Sequence, residues 1–150
     1  MNVRCLNISI IKFIMASVVT FFISRGYTPE NHSEILAIAS PLATVAAMLF
    51  GFIIASVTMF SGSQNELIQN MKDTNKYEPF MSQLHITGLA LITSCIFMVL
   101  AIFTPNKMLL EDLKISWDYS FLILGFLSLT YGLFEFWFCW KRVNLVSSKM

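Results

Sequence analysis

Two residues of opposite charge stand where charge is costly. Lys12 lies inside the apolar run that follows Arg4, and Glu135 lies inside the apolar run from Tyr119 to Trp140. A lysine or aspartate at the centre of a lipid-solvated helix costs about 2.5–3.5 kcal/mol on insertion scales, so such groups pair, reach water or line an ion path. Three roles follow for Lys12 and Glu135: a structural charge pair, two separate side chains snorkelling to water, or a gate on an ion path. Other chemistry is sparse. His85 stands at the start of an apolar run, where a titrating switch is conceivable, but a wet interfacial histidine is the simpler reading. His32 reads as a loop residue without a visible partner. Cys5, Cys95 and Cys139 are far apart and form no C-x-x-C pair, so neither a disulfide framework nor a metal site is expected. No phosphate-binding glycine loop, H-E-x-x-H or G-x-S-x-G occurs. The chain reads as a non-enzyme without a cofactor.

The elements that must position Lys12 and Glu135 follow from composition. Of 150 residues, 56% are hydrophobic and only 13% charged, with 14 Phe and 9 Met. Soluble domains are about 45–50% apolar and about 25% charged, so this chain cannot cover a water-facing surface. The mean hydropathy is +0.68. A formal charge of +1 supplies no field for nucleic acid, and no direct nucleic-acid binding is expected. About 20 apolar residues cross a bilayer as a helix, and four stretches qualify, at about 5–24, 35–60, 84–104 and 119–140. The first resembles a signal peptide in its basic start, but Lys12 interrupts it and no A-x-A-type site follows. A retained helix is expected. The fold class is an all-α integral membrane protein, a single domain of four transmembrane helices over residues 1–150.

Four spans place both termini on one side. Arg4, Lys12, Lys72, Lys76, Lys141, Arg142 and Lys149 fall there, against Arg25, Lys107 and Lys114 on the other. The positive-inside rule then predicts N-in/C-in, with the middle connection in the cytoplasm. Lys12 lies about 10 Å and Glu135 about 7 Å from the inner ends of their spans at 1.5 Å per residue. They share a side and a depth, and the expectation is that they pair, within a subunit or between subunits. Tyr27, Trp117, Tyr119, Trp137 and Trp140 fall at span ends, as anchoring aromatics do.

In the second span Ala43, Ala47, Gly51 and Ala55 recur every four residues. Small residues so spaced let helices approach closely in lipid. This span is predicted to be the central, most covered helix, its stripe serving helix packing or a subunit interface. Ser40, Thr44 and Thr58 add hydroxyls that could line a polar path, and Pro41 could kink the helix. Gly125 and Gly132 in the fourth span suit close helix contact. The polar connection after the second span carries Ser63 and Glu66 at capping-box spacing, and Pro79 is taken to stop the helix that follows. That helix, about 63–78, is predicted to be amphipathic and cytoplasmic. With the tail from Lys141 and Arg142 it offers the surface (Glu66, Lys72, Lys76, Lys141, Arg142) that a cytosolic partner could grip. The segment from Lys107 to Trp117 is predicted as an interfacial turn on the opposite side.

The stretch AAMLFGFIIASVTMF (46–60), the connection SGSQNELIQNMKDTNKYEPFM and the apolar third span resemble the RexB family, small four-helix membrane proteins of the lambdoid Rex exclusion system. The membrane component of the Kiwa antiphage system, KwaA, has a similar plan. The resemblance covers roughly residues 35–105 and carries no catalytic motif. It implies a membrane subunit of a bacterial antiphage defence system, working beside a cytosolic partner that binds nucleic acid. It also implies a homo-oligomer that senses infection-linked membrane perturbation or forms a gated pore that depolarises the cell. A structural anchor subunit and a holin-type toxin are the readings outside that class.

Overall fold

The computed structural model describes the backbone at residues 3–26, 29, 31–62, 69, 72–73, 77–104, 108–110 and 115–147. Four long helices make up most of it: α1 (Val3–Gly26), α2 (His32–Gly62), α3 (Tyr77–Phe103) and α4 (Trp117–Ser147). Each is long and apolar enough to cross a membrane. Local sequence explains their ends. Gly26 closes α1 with Pro29 shortly after it, as helix stop signals do. Asn31 stands before α2 as a favoured N-cap residue, its carbonyl accepting from the Glu34 N–H at 3.1 Å. Thr104 closes α3 by donating its hydroxyl and its backbone N–H to the Leu100 carbonyl at 2.6 and 2.9 Å, and Pro105 follows.

Two boundaries differ from the sequence reading. Pro79 does not stop a preceding helix; it is the third residue of α3. The first turn of a helix has no use for that N–H, so proline is tolerated there. The segment read as an interfacial turn instead contains two short strands, β1 (Met108–Leu110) and β2 (Ile115–Ser116), paired antiparallel with Met108 opposite Ser116.

The helices run alternately up and down. Ile53 and Phe60 of α2 meet Gly88 and Phe80 of α3, and Met98 and Leu91 of α3 meet Gly125 and Gly132 of α4. Both buried apolar clusters belong to α2, α3 and α4: Ala46, Ile53, Phe80, Leu84, Leu91, Leu129 and Cys139 in one, Ile35, Ala39, Met98, Ala101 and Leu122 in the other. Helix α1 lies outside both and packs chiefly on α4.

The central helix is α3, not the second span. In their most apolar stretches 39% of α3 is buried against 17% of α2. Ala47, Gly51 and Ala55 are exposed and Ala43 is only half-buried, and a Cβ on Gly51 would meet nothing within 4 Å. Within the chain the stripe packs through Ala43, which lies against the second buried cluster. The close approaches are at α3 and α4: a Cβ on Gly88 would lie 3.3 Å from Ile53, one on Gly125 3.2 Å from the Met98 backbone N, and one on Gly132 3.1 Å from Leu91. Hydroxyls of one buried and one half-buried serine reinforce that seam. Ser94 donates to the Gly125 carbonyl and Ser128 to the Ala90 carbonyl, each at 2.7 Å.

Candidate functional site

Helix α1 joins the other three through an unusual face. Its buried residues, among those described, are Lys12, Ala16 and Thr20, spaced four apart on one side. Ile10, Ile11, Phe13, Ile14, Met15, Val18, Val19, Phe21, Phe22 and Ile23 point outward. The arrangement is inverted relative to a water-soluble helix, which buries its apolar stripe.

At the centre of this face Lys12 meets Glu135. The ammonium donates to Oε2 of the carboxylate at 2.7 Å, with Lys12 5% and Glu135 4% exposed. A charge-assisted bond of this length and burial is strong in itself, but desolvation offsets much of it, and the pair tolerates the loss of neither partner. The third member comes from α3. Gln83, 8% exposed, donates Nε2 to the same Glu135 oxygen at 3.0 Å. Its position is braced by Thr87, one turn on, whose hydroxyl donates to the Gln83 carbonyl at 2.8 Å. Lys12 also lies over the Phe138 ring, 4.6 Å from its centroid, a cation–π contact that replaces part of the lost hydration. One turn before Glu135, Tyr131 has its hydroxyl 3.1 Å from Ser9 Oγ and its ring edge-on to Phe13.

A second polar joint closes the other end of the bundle. Asp118, fully buried at the start of α4, places Oδ2 2.9 Å from His32 Nδ1 and accepts from the Tyr119 backbone N–H at 2.9 Å. The Tyr119 hydroxyl donates to the Ser24 carbonyl at 3.0 Å, holding the far end of α1. His32 is thus the first residue of α2 with a partner 86 positions away, not a partnerless loop residue. Tyr119 is part of this joint rather than only a span-end anchor.

The structure brings Lys12 and Glu135 together within one chain. Ser40, Thr44 and Thr58 are exposed on α2. Thr44 donates to the Ser40 carbonyl, and Thr58 to those of Ile54 and Ala55. Lys72 is exposed, its ammonium 5.3 Å from the Tyr77 ring centroid, and Lys141 is exposed, 5.7 Å from that of Trp137. Glu66, Lys76 and most of the segment 63–78 lie outside the described residues, as does the side chain of Arg142. His85 is exposed, as its sequence position suggested. Among the described residues no group of His, Cys, Asp and Glu could hold a metal.

Sequence reasoning missed Gln83, Tyr131, Ser9 and Asp118. Gln83 and Asp118 stood one residue outside spans drawn at 84 and 119. The four-residue spacing of Lys12, Ala16 and Thr20, with Ser9 and Ser24 near the same line, was the available signal for a polar seam on α1. No protein family, characterised protein or solved structure matches the chain.

Proposed function

We propose that this chain is a multi-pass membrane protein with both termini in the cytoplasm of a bacterium. In this reading it is a homo-oligomeric subunit of an antiphage defence system in the inner membrane. It senses infection-linked disturbance of the bilayer and passes that signal to a cytosolic partner that binds nucleic acid. One observation carries the reading: the inversion of α1. Ten large apolar side chains on its outward surface, with a lysine, an alanine and a threonine inward, make sense when the solvent is hydrocarbon, where packing and polar contacts rather than water hold helices together. A helix held mainly by an ion pair and single hydrogen bonds has a discrete docked state and a discrete released one, and lateral tension or a ligand biases that choice. The defence setting rests on the resemblance of residues 35–105 to the RexB and KwaA families.

The competing reading, a gated ion channel, needs a continuous wet path. The exposed hydroxyls of Thr44 and Thr58 spend their donors on their own helix backbone, so conduction would have to run between subunits. Cells expressing the chain with its neighbouring genes, challenged with phage and loaded with a potential-sensitive dye, separate the two. Reduced plaque formation with the potential retained until the partner is recruited to the membrane supports the sensor. Depolarisation that requires this chain moves the assignment to the channel, and unchanged plaque formation removes the defence reading.

A further inference from the structure

Gln83 Oε1 is a buried acceptor with no hydrogen-bond partner among the described residues. Buried amides normally have both halves satisfied, so a lone unsatisfied acceptor calls for a partner. Turning the amide over does not help, because Nε2 donates to Glu135 Oε2 at 3.0 Å and the reversed amide would set two acceptors face to face. The same side chain is 8% exposed and adjoins the ion pair.

We propose that Glu135 is a proton-binding site and that the Gln83 amide is built to receive the protonated carboxyl. A carboxylic acid has one O–H donor and one carbonyl acceptor; a primary amide offers the complement. With the proton on its second oxygen, Glu135 donates to Gln83 Oε1 while Gln83 Nε2 keeps its bond to Oε2. The closed acid–amide pair satisfies the orphaned atom. The last torsion of Gln83 is broad for an amide, which gives its amide freedom to turn towards the acid. The proton comes from the aqueous phase beyond the Lys12 end of the bundle and adds to a carboxylate oxygen. An O–H bond of hydronium breaks as the carboxyl O–H forms, and water is left behind. What is lost is the charge attraction between Lys12 and Glu135, and an ammonium without its counter-ion extends along its stem towards water. Docking of α1 is thereby coupled to proton uptake.

Among the described residues, Glu135 and Lys12 are the charged groups of the site. Helix α4 adds Tyr131 and Cys139, each one turn from Glu135, and α1 adds Ser9. Helix α3 presents Gln83 and Thr87, with His85 exposed, and α2 has no ionisable side chain between Glu34 and its end at Gly62.

This proposal deepens the sensor reading and rests on it only in taking α1 as the moving part. The test is infrared difference spectroscopy of the full chain in lipid nanodiscs, stepped from alkaline to acid pH within the range where helicity is constant. The expected result is a protonated-carboxyl carbonyl band that Glu135→Gln abolishes. Gln83→Met, which removes the amide, moves the band to higher frequency. Amide hydrogen exchange of α1 rises in step with the wild-type band. Should Glu135→Gln fail to fold, the Gln83→Met frequency shift decides. A wild-type protein without such a band, or a band that neither Glu135→Gln nor Gln83→Met alters, overturns the proposal. A Glu135 band together with unchanged plaque formation leaves the proton site standing and removes the defence function. Phage protection without the band does the reverse.

Discussion

Lys12, Glu135 and Gln83 come from three helices and share one carboxylate oxygen, so each depends on the others. Removing either charge leaves the other buried and uncompensated, which costs about 3–5 kcal/mol in protein interiors. Lys12→Met and Glu135→Gln are therefore each expected to lower the thermal midpoint in detergent, followed by circular dichroism. The exchange of both, Lys12→Glu with Glu135→Lys, is expected to recover most of that loss. Recovery remains incomplete because Gln83 Nε2 would then face an ammonium and its amide must turn over. No recovery at all would mean that the pair is not what holds α1. The glycines divide as sharply. Gly125→Ala sets a methyl 3.2 Å from the Met98 backbone N, and overpacking of this kind costs about 1–3 kcal/mol. Gly51→Ala meets nothing within 4 Å and gains about 1 kcal/mol of helix propensity. Opposite changes in thermal midpoint check both. From the sequence these glycines were alike, all small residues in apolar helices; only their neighbours tell them apart.

Among the elements, α1 and α2 play parts that their composition did not announce. Helix α2 is the most apolar-looking candidate for a centre, being uncharged from Ile35 to Gly62, yet it packs on α3 with its alanine and glycine stripe turned outward. A helix without charge is free to face lipid as well as protein, so absence of charge does not decide its position. The outward stripe suits the proposed contact between copies. Gly51→Leu is expected to leave the monomer folded while lowering the oligomer mass seen by light scattering in detergent; an unchanged mass removes the stripe from the interface. Helix α1 is fixed at two levels, by Lys12 on Glu135 and by Ser24 under Tyr119. The Asp118 joint ties α4 to the start of α2 at the second level. A double-mutant cycle of His32→Ala and Asp118→Ala is expected to show a coupling of about 0.5–3 kcal/mol, as for residues within one polar network. Simple additivity would mean that the contact contributes nothing to holding that end.

For the molecule as a whole, the four helices alternate in direction, so their termini divide between two ends, and the proposed orientation sends both tails inward. Reporter fusions at either tail are expected to be active in the cytoplasm; an external signal at either overturns N-in/C-in. Deleting residues 63–78 is expected to abolish co-purification of the cytosolic partner while leaving membrane insertion intact, and undiminished co-purification removes that segment as the partner surface. The sequence by itself determined the class of element and the number of long apolar helices. Apolar runs of this length with so little charge have no other way to satisfy their backbone away from water than as helices. It also placed Lys12 and Glu135 at one depth, because helical rise converts residue number into distance. Which helix sits at the centre, which face of α2 is turned out, and that Gln83, His32 and Asp118 complete the polar joints were decided by tertiary structure alone. Apolar helices have nearly interchangeable surfaces, so their order depends on a few side-chain contacts between distant positions, and no local pattern records those.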